Sequence, residues 1–130
     1  MSEIINPQDA ELEEIILGSC LIESKAITLI ADILRPEAFY NEKNLEIYAT
    51  LQSMYRNGQK IDIITVKEEL ARRGKLEFIG GPYTLAHISG RVASSAHLEY
   101  HARILKQKYI RRETILGFHK LCLLYTSPSP

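Results

Sequence analysis

Histidine and cysteine are the side chains here that could most readily bind a metal or act as nucleophiles. The chain has four histidines and two cysteines: His87, His97, His101, His119, Cys20 and Cys122. The histidines are scattered, and neither cysteine lies in a metal-ligand or nucleophile motif. The acidic residues are predicted to lie on outer helix faces. We therefore expect no catalytic residues, no metal site and no bound cofactor in this segment.

Gly80-Gly81 could also be read as part of a phosphate-binding loop. That chemistry needs a preceding strand, wider glycine spacing and a Lys-Ser/Thr pair, and the sequence here continues with Pro82 instead. We interpret the glycine pair as a turn that leads into a helix whose first residue is proline.

Charge and hydropathy limit the function further. The 130 residues, enough for one domain, contain 16 basic and 16 acidic side chains. A domain that binds nucleic acid through its phosphates would be expected to carry a basic excess. No apolar run approaches the roughly 20 residues of a membrane span, and no secretion signal is recognised. We expect a cytoplasmic protein with no membrane partner.

Two predicted helices and a turn, residues 39–70, form the centre of the chain. Apolar residues recur at helical spacing between residues 41 and 57: Leu45, Tyr48, Leu51, Met54 and Tyr55. Asn41 is the expected N-cap and Gly58 the stop. Thr65 and Glu68 are predicted to form a capping box for the next helix, which Gly74 ends.

Helices are predicted on both sides of this pair. The first helix begins near Asp9, its predicted N-cap, and its inward-facing residues are Leu12, Ile15, Ile16 and Ser19. Gly18 is expected where another helix approaches this one closely. A second spans residues 25–34 with Ser24 as its cap, and Phe39 follows as a core residue. A last helix, residues 96–113, is capped by Ser95. The fold class is therefore all-α, and residues 61–64 are the one place where a strand is considered.

The last helix has two distinct faces. One is a narrow apolar stripe, Leu98, Ala102, Leu105 and Tyr109, typical of a helix that packs along one antiparallel partner. The other carries the one basic cluster: Arg103, Lys106, Gln107, Lys108, Arg111 and Arg112. We interpret this basic face as solvated, with nucleic-acid contact as the alternative.

The order of these features resembles the N-terminal domain of replicative DNA helicases of the DnaB family. The resemblance spans about residues 7–113 and rests on the segments 7–19, 36–40, 57–70, 80–81 and 94–102, with Arg111-Arg112-Glu113. Asn44 departs from it, because many relatives have histidine there. We expect Asn44 only to orient a helix start.

The resemblance implies a compact helical head in residues 1–94 and the first arm of an incomplete helical hairpin in residues 95–121. Residues 122–130 resemble a translated sequencing adaptor and are predicted to be a non-native tail. In the family, a separate RecA-like motor domain uses ATP and Mg²⁺ and makes most of the DNA contacts. This segment is expected to lack that motor.

The implied partners are primase, a helicase loader and other subunits of a hexameric helicase. Contacts with primase are predicted at Glu11, Tyr83, Thr84, His97 and Tyr100, and subunit pairing at the stripe Leu98, Ala102, Leu105 and Tyr109. Without the second arm this stripe should be uncovered. We then expect the head to fold alone, the last helix to fray or self-associate loosely, and no ring to form.

Two other classes stay open on sequence alone. One is a stand-alone helical regulator or winged-helix-like DNA-binding module, which would need a basic recognition face. The other is the helicase-binding domain of primase, which resembles this domain in fold and would reverse the partner assignment. Residues 61–70 together with Gly80-Gly81 favour the helicase.

Overall fold

The computed structural model describes residues 7–126. Its elements are α1 (Pro7–Ile22), α2 (Ile27–Ile30), a 3-10 helix (Pro36–Ala38), α3 (Glu42–Arg56), α4 (Ile63–Arg72), α5 (Pro82–Gly90) and α6 (Leu98–Thr126). Within this range there is no strand, so the all-α prediction is confirmed. Residues 61 and 62 lead into α4, and residues 63 and 64 lie in its first turn. No helix of the described chain is long and apolar enough to cross a bilayer.

Helix α3 forms the centre of the core. The Asn41 side chain accepts hydrogen bonds from the amides of Lys43 and Asn44, at 2.8 and 3.3 Å, which confirms the predicted N-cap. Gly58 has a φ of 71° and follows the last turn, as expected of a helix stop. The buried face is centred on Ile47, Tyr48, Leu51 and Met54.

Two residues predicted for that face lie away from its centre. Leu45 is only half-buried and Tyr55 is exposed.

Tyr48 stacks on Phe39, with 4.8 Å between ring centroids, and its hydroxyl donates to the Leu34 carbonyl oxygen at 2.9 Å. Phe39 is therefore a core residue, as predicted.

The capping box of α4 lies three residues earlier than predicted. Asp62 is the N-cap: its Oδ1 accepts from the Thr65 amide at 2.8 Å, and Thr65 Oγ1 accepts from the Asp62 amide at 2.9 Å. The prediction that Thr65 and Glu68 form the box is wrong, because the helix has already begun at Ile63. Gly74, with a φ of 72°, ends α4 as expected.

The boundaries of the first two helices also differ from the prediction. Helix α1 begins at Pro7, so Asp9 lies inside its first turn and is not the N-cap. Helix α2 is a single turn whose N-cap position is Ala26, with no side-chain cap, so Ser24 does not cap it. Turn hydrogen bonds continue from α2 to Leu34, and Pro36 then keeps Arg35 extended. The Leu34 carbonyl accepts from the Tyr48 hydroxyl.

Helix α6 packs back along the head against α1, α2 and the 3-10 helix. Leu98, Ala102 and Leu105 are at most 1% exposed, and Tyr109 packs against the same core. The expectation that this stripe is uncovered is therefore wrong: the head itself covers it. The physical reason is that α1 and α2 present an apolar surface to α6, which needs no second arm.

Both ends of α6 differ from the sequence prediction. It begins at Leu98, two residues later than predicted, so the prediction that Ser95 caps it is wrong. The neighbouring Ser94 hydroxyl accepts from the Ala96 amide at 3.1 Å. It continues to Thr126, so residues 122–126 of the predicted tail are helical. The remaining residues of that tail, 127–130, lie outside the described chain.

Candidate partner-binding surface

A buried carboxylate joins α1 to the start of α3. Glu13 is only 2% exposed. Its Oε2 accepts from the Tyr40 amide at 2.6 Å, and its Oε1 accepts from Asn44 Nδ2 at 2.9 Å and, weakly, from the Asn41 amide at 3.4 Å. Burial raises the pKa of Glu13, and these hydrogen bonds oppose the rise.

Sequence reasoning missed this role. Glu13 was placed with the other acids of the first helix on a solvated face, and that prediction is wrong for this residue. A signal was present, because Glu13 precedes the buried residues Ile16, Leu17 and Cys20 by three, four and seven positions. Asn44 does orient the start of α3, as expected, but it does so as a buried partner of this carboxylate.

Helices α1 and α5 meet at Gly18, as the sequence predicted. A methyl group added there would lie 2.6 Å from the Ile88 carbonyl oxygen and 2.6 Å from Cγ2 of Val92. Glu14, on the same helix, forms an ion pair with Arg91 just after α5. The close contact and the ion pair together hold α5 beside α1 and fix the width of the space between them.

That space is a groove of about 340 Å³ between α1, the start of α3 and α5. Its lining combines amide, carboxylate, amine, imidazole and phenol groups with an apolar floor: Glu14, Asn41, Lys43, Asn44, Ile79, Gly80, Tyr83, Thr84, His87 and Ile88. The Tyr83 side chain is 68% exposed, and its ring lies 6.0 Å from that of His87. An exposed aromatic ring beside a polar, concave surface is typical of a protein-binding site.

The structure brings together only part of the predicted contact set. Tyr83 and Thr84 both line the groove, while Glu11 is exposed on α1, one helical turn before Glu14. His97 and Tyr100 do not line it: His97 directly precedes α6, and Tyr100 lies in the first turn of that helix. Sequence analysis did not select Lys43, Asn44 or His87 for a groove, because they come from different elements and no local motif joins them.

The predicted basic face of α6 is largely occupied by contacts within the chain. Lys108 forms an ion pair with Asp9 at 2.9 Å, and Arg103 pairs with Glu99 at 2.8 Å. The Arg112 guanidinium lies over the rings of Tyr40 and Tyr109, 5.2 and 5.5 Å from their centroids. Three of the five cations are thus engaged within the chain, and Arg103, Lys106 and Arg111 are exposed, as expected of a solvated face.

These features define a class of protein: a small all-helical domain with a polar groove and a long helix packed on its side. The sequence matches the family described as "DnaB-like helicase N terminal domain" over residues 5–107. The chain therefore belongs to the DnaB-like helicase N-terminal domain family. This finding favours the helicase over the primase domain and over the stand-alone DNA-binding module.

Known relatives agree with this assignment. The chain is 43% identical over 108 residues to replicative DNA helicase DnaB of Rhodothermus marinus, covering 83% of this chain and 12% of that protein. It is 34% identical over 119 residues to replicative DNA helicase DnaC of Bacillus subtilis, covering 88% and 26%. The chain thus spans only a small part of the length of these relatives.

Two solved structures share the fold. The N-terminal domain of DnaB helicase from Mycobacterium tuberculosis superposes with a TM-score of 0.83 and 32% identity, over 93% of this chain and 88% of that one. A second structure, described as a DnaB-like replicative helicase and its interactions with primase, gives 0.75 and 30%, over 87% and 27%.

Proposed function

We propose that this chain is the docking and assembly domain of a replicative DNA helicase and that its groove between α1 and α5 receives primase. The observation that carries the proposal is the exposed Tyr83 ring at a groove whose shape is fixed by Gly18, Glu14 and the buried Glu13. The similarity to a helicase whose structure is described with its interactions with primase supports this choice of partner.

Contact with primase extends beyond the groove. A stable interface buries about 800 Å² on each partner, more than one small groove supplies. Glu11 extends the surface along α1, and His97 and Tyr100 add the exposed beginning of α6, where Tyr100 is 66% exposed. We expect Tyr83 to contribute most, because aromatic residues dominate interface energies.

Isothermal titration calorimetry of the chain with the C-terminal domain of its cognate primase tests this proposal. Tyr83→Ala should weaken binding by about 2 kcal/mol, roughly thirtyfold, the loss typical of an aromatic anchor. Ile64→Ala is the matched control, because Ile64 is 64% exposed on α4 and does not line the groove. Equal affinities for the two variants, or no binding well above micromolar concentration, would overturn the proposal.

Subunit pairing is proposed for the outer half of α6. The predicted pairing stripe is buried in the head at Leu98, Ala102 and Leu105, so it is not exposed to a second subunit. Large apolar side chains are exposed further along the helix: Ile110, Ile115, Leu116, Phe118 and Leu121. Burying each is worth about 1.5 to 3 kcal/mol, enough to drive association of two such helices.

Sedimentation velocity at several concentrations tests this pairing. The chain should self-associate as concentration rises, and Phe118→Ser should shift the equilibrium toward monomer. Phe78→Ser, at an exposed phenylalanine outside α6, should leave it unchanged. Association that survives Phe118→Ser but not a change at Leu98 would restore the stripe as the pairing surface.

The complete helicase is proposed to unwind DNA with ATP and Mg²⁺ in a separate motor domain, which also makes the main DNA contacts. A helicase loader is a further proposed partner, and the cytoplasm is the proposed compartment. The chain itself should neither hydrolyse ATP nor unwind DNA. Measurable ATP hydrolysis by the purified chain would contradict this division of labour.

A further inference from the structure

Two imidazoles lie one helical turn apart where α6 begins, because His97 directly precedes the helix and His101 lies in its first turn. The His101 amide donates to the His97 carbonyl oxygen at 3.0 Å, so the two residues already have helical spacing. Residues four apart on a helix lie on the same face. The two ring centroids are 6.3 Å apart, and the ring planes are inclined by 74°. His97 is exposed and His101 is half-buried, so both rings are accessible to a solute.

We propose that His97 and His101 form a two-imidazole binding site for a late first-row divalent cation, such as Zn²⁺, Ni²⁺ or Cu²⁺. Metal–nitrogen bonds of ~2.0–2.1 Å at a tetrahedral angle place the centres of two bound imidazoles roughly 5 Å apart. The observed separation of 6.3 Å is longer than that. Rotation about the side-chain bonds must therefore bring the two rings about 1 Å closer for both to bind one ion.

The packing of α6 holds this geometry in place. Leu98 and Ala102, which directly follow the two histidines, are 1% and 0% exposed in the core. Their burial fixes how α6 is rotated about its axis and so keeps both histidines on its outer side.

The donor set selects the class of cation. Imidazole nitrogen suits Zn²⁺, Ni²⁺ and Cu²⁺, whereas Mg²⁺ and Ca²⁺ prefer oxygen ligands. Across residues 7–126, no group of three or more His, Cys, Asp and Glu side chains could hold a metal ion. The protein thus supplies two ligands, and water completes the coordination. The site should exchange its ion readily and bind Cu²⁺ more tightly than Zn²⁺, unlike a four-ligand structural zinc site.

Long-range ¹H–¹⁵N spectra of the histidine side chains, recorded while ZnCl₂ is added to the full chain, test this site directly. The signals of His97 and His101 should shift together and saturate, while those of His87 should not follow them. MgCl₂ should produce no such change. The inference is overturned if His97 and His101 do not shift at millimolar zinc, or if they shift independently with different affinities.

Variants separate a shared site from two independent contacts. His101→Gln should abolish the saturable shift of His97 over the same zinc range, and His97→Gln, at an exposed position, should do the same to His101. His119→Gln removes a histidine from the outer half of the same helix and should leave the shifts of both unchanged. Zinc should also raise the unfolding temperature of the wild-type chain and of His119→Gln, but not of His101→Gln. A His97 shift that survives His101→Gln would refute the shared site.

Discussion

Replacing Gly18 by alanine tests the packing that shapes the groove. The added methyl group would lie 2.6 Å from the Ile88 carbonyl oxygen and 2.6 Å from Cγ2 of Val92. The valine side chain can move aside. The carbonyl oxygen belongs to the backbone of α5, so α5 itself must shift away from α1.

Two effects of opposite sign decide the magnitude. Overpacking a close contact costs about 1–3 kcal/mol, whereas alanine is favoured over glycine inside a helix by about 0.8–1.0 kcal/mol. Because one of the two contacts is with backbone, the overpacking cost should fall in the upper half of its range. We therefore expect Gly18→Ala to lower the free energy of unfolding by about 1–2 kcal/mol.

Urea unfolding followed by circular dichroism measures this loss. A domain of this size has an m-value of about 1–3 kcal/mol/M, so the midpoint should fall by roughly 0.3–2 M. Gly117→Ala is the matched control, because a methyl group added at this glycine of α6 meets nothing within 4 Å. It should be neutral or slightly stabilising. If Gly18→Ala raises the midpoint as well, the contact between α1 and α5 is not tight and the reasoning fails.

Three further predictions concern individual contacts. Burial raises the pKa of Glu13 in the folded chain above its unfolded value. The wild type should therefore gain stability relative to Glu13→Gln as the pH falls from 7 toward 5. An unchanged or reversed difference in urea midpoints would show that the hydrogen bonds to Glu13 dominate its pKa. Asp62→Ala should cost about 1 kcal/mol through loss of the cap. Glu68→Ala should cost almost nothing, and the opposite order in thermal melts would restore the capping box predicted from sequence. In hydrogen exchange, amides of residues 98–109 should be protected as well as those of 45–55, and fast exchange of 98–109 in a monomer would mean that α6 does not pack on the head.

The sequence was informative at several positions where a local pattern decides the structure. Asn41, Gly58 and Gly74 were assigned correctly because caps and stops depend on a few neighbouring residues. The cap at Asp62 was missed because two capping patterns overlap between residues 62 and 68. Which of them forms depends on the residue at which the helix begins.

Long-range contacts were harder to predict. The polar partners of Glu13 lie 27 to 31 residues away, so no periodicity within its own helix could identify them. The surface that packs on the α6 stripe was mispredicted for a related reason. The spacing of Leu98 and Leu105 predicts an apolar partner but does not identify which element of the chain supplies it. The groove is likewise assembled from three separate elements. Of its lining residues, sequence analysis had selected only Tyr83 and Thr84.

Helix α1 connects the two proposed roles of the domain. It holds α5 through Gly18 and Glu14, holds the start of α3 through Glu13, and holds α6 through the ion pair of Asp9 with Lys108. A change in α1 should therefore alter both the groove and the position of α6, whereas Tyr83→Ala should affect only the groove. If both roles operate in one molecule, substitutions at Gly18 should weaken primase binding and self-association together, and substitutions at Tyr83 or Phe118 should separate them.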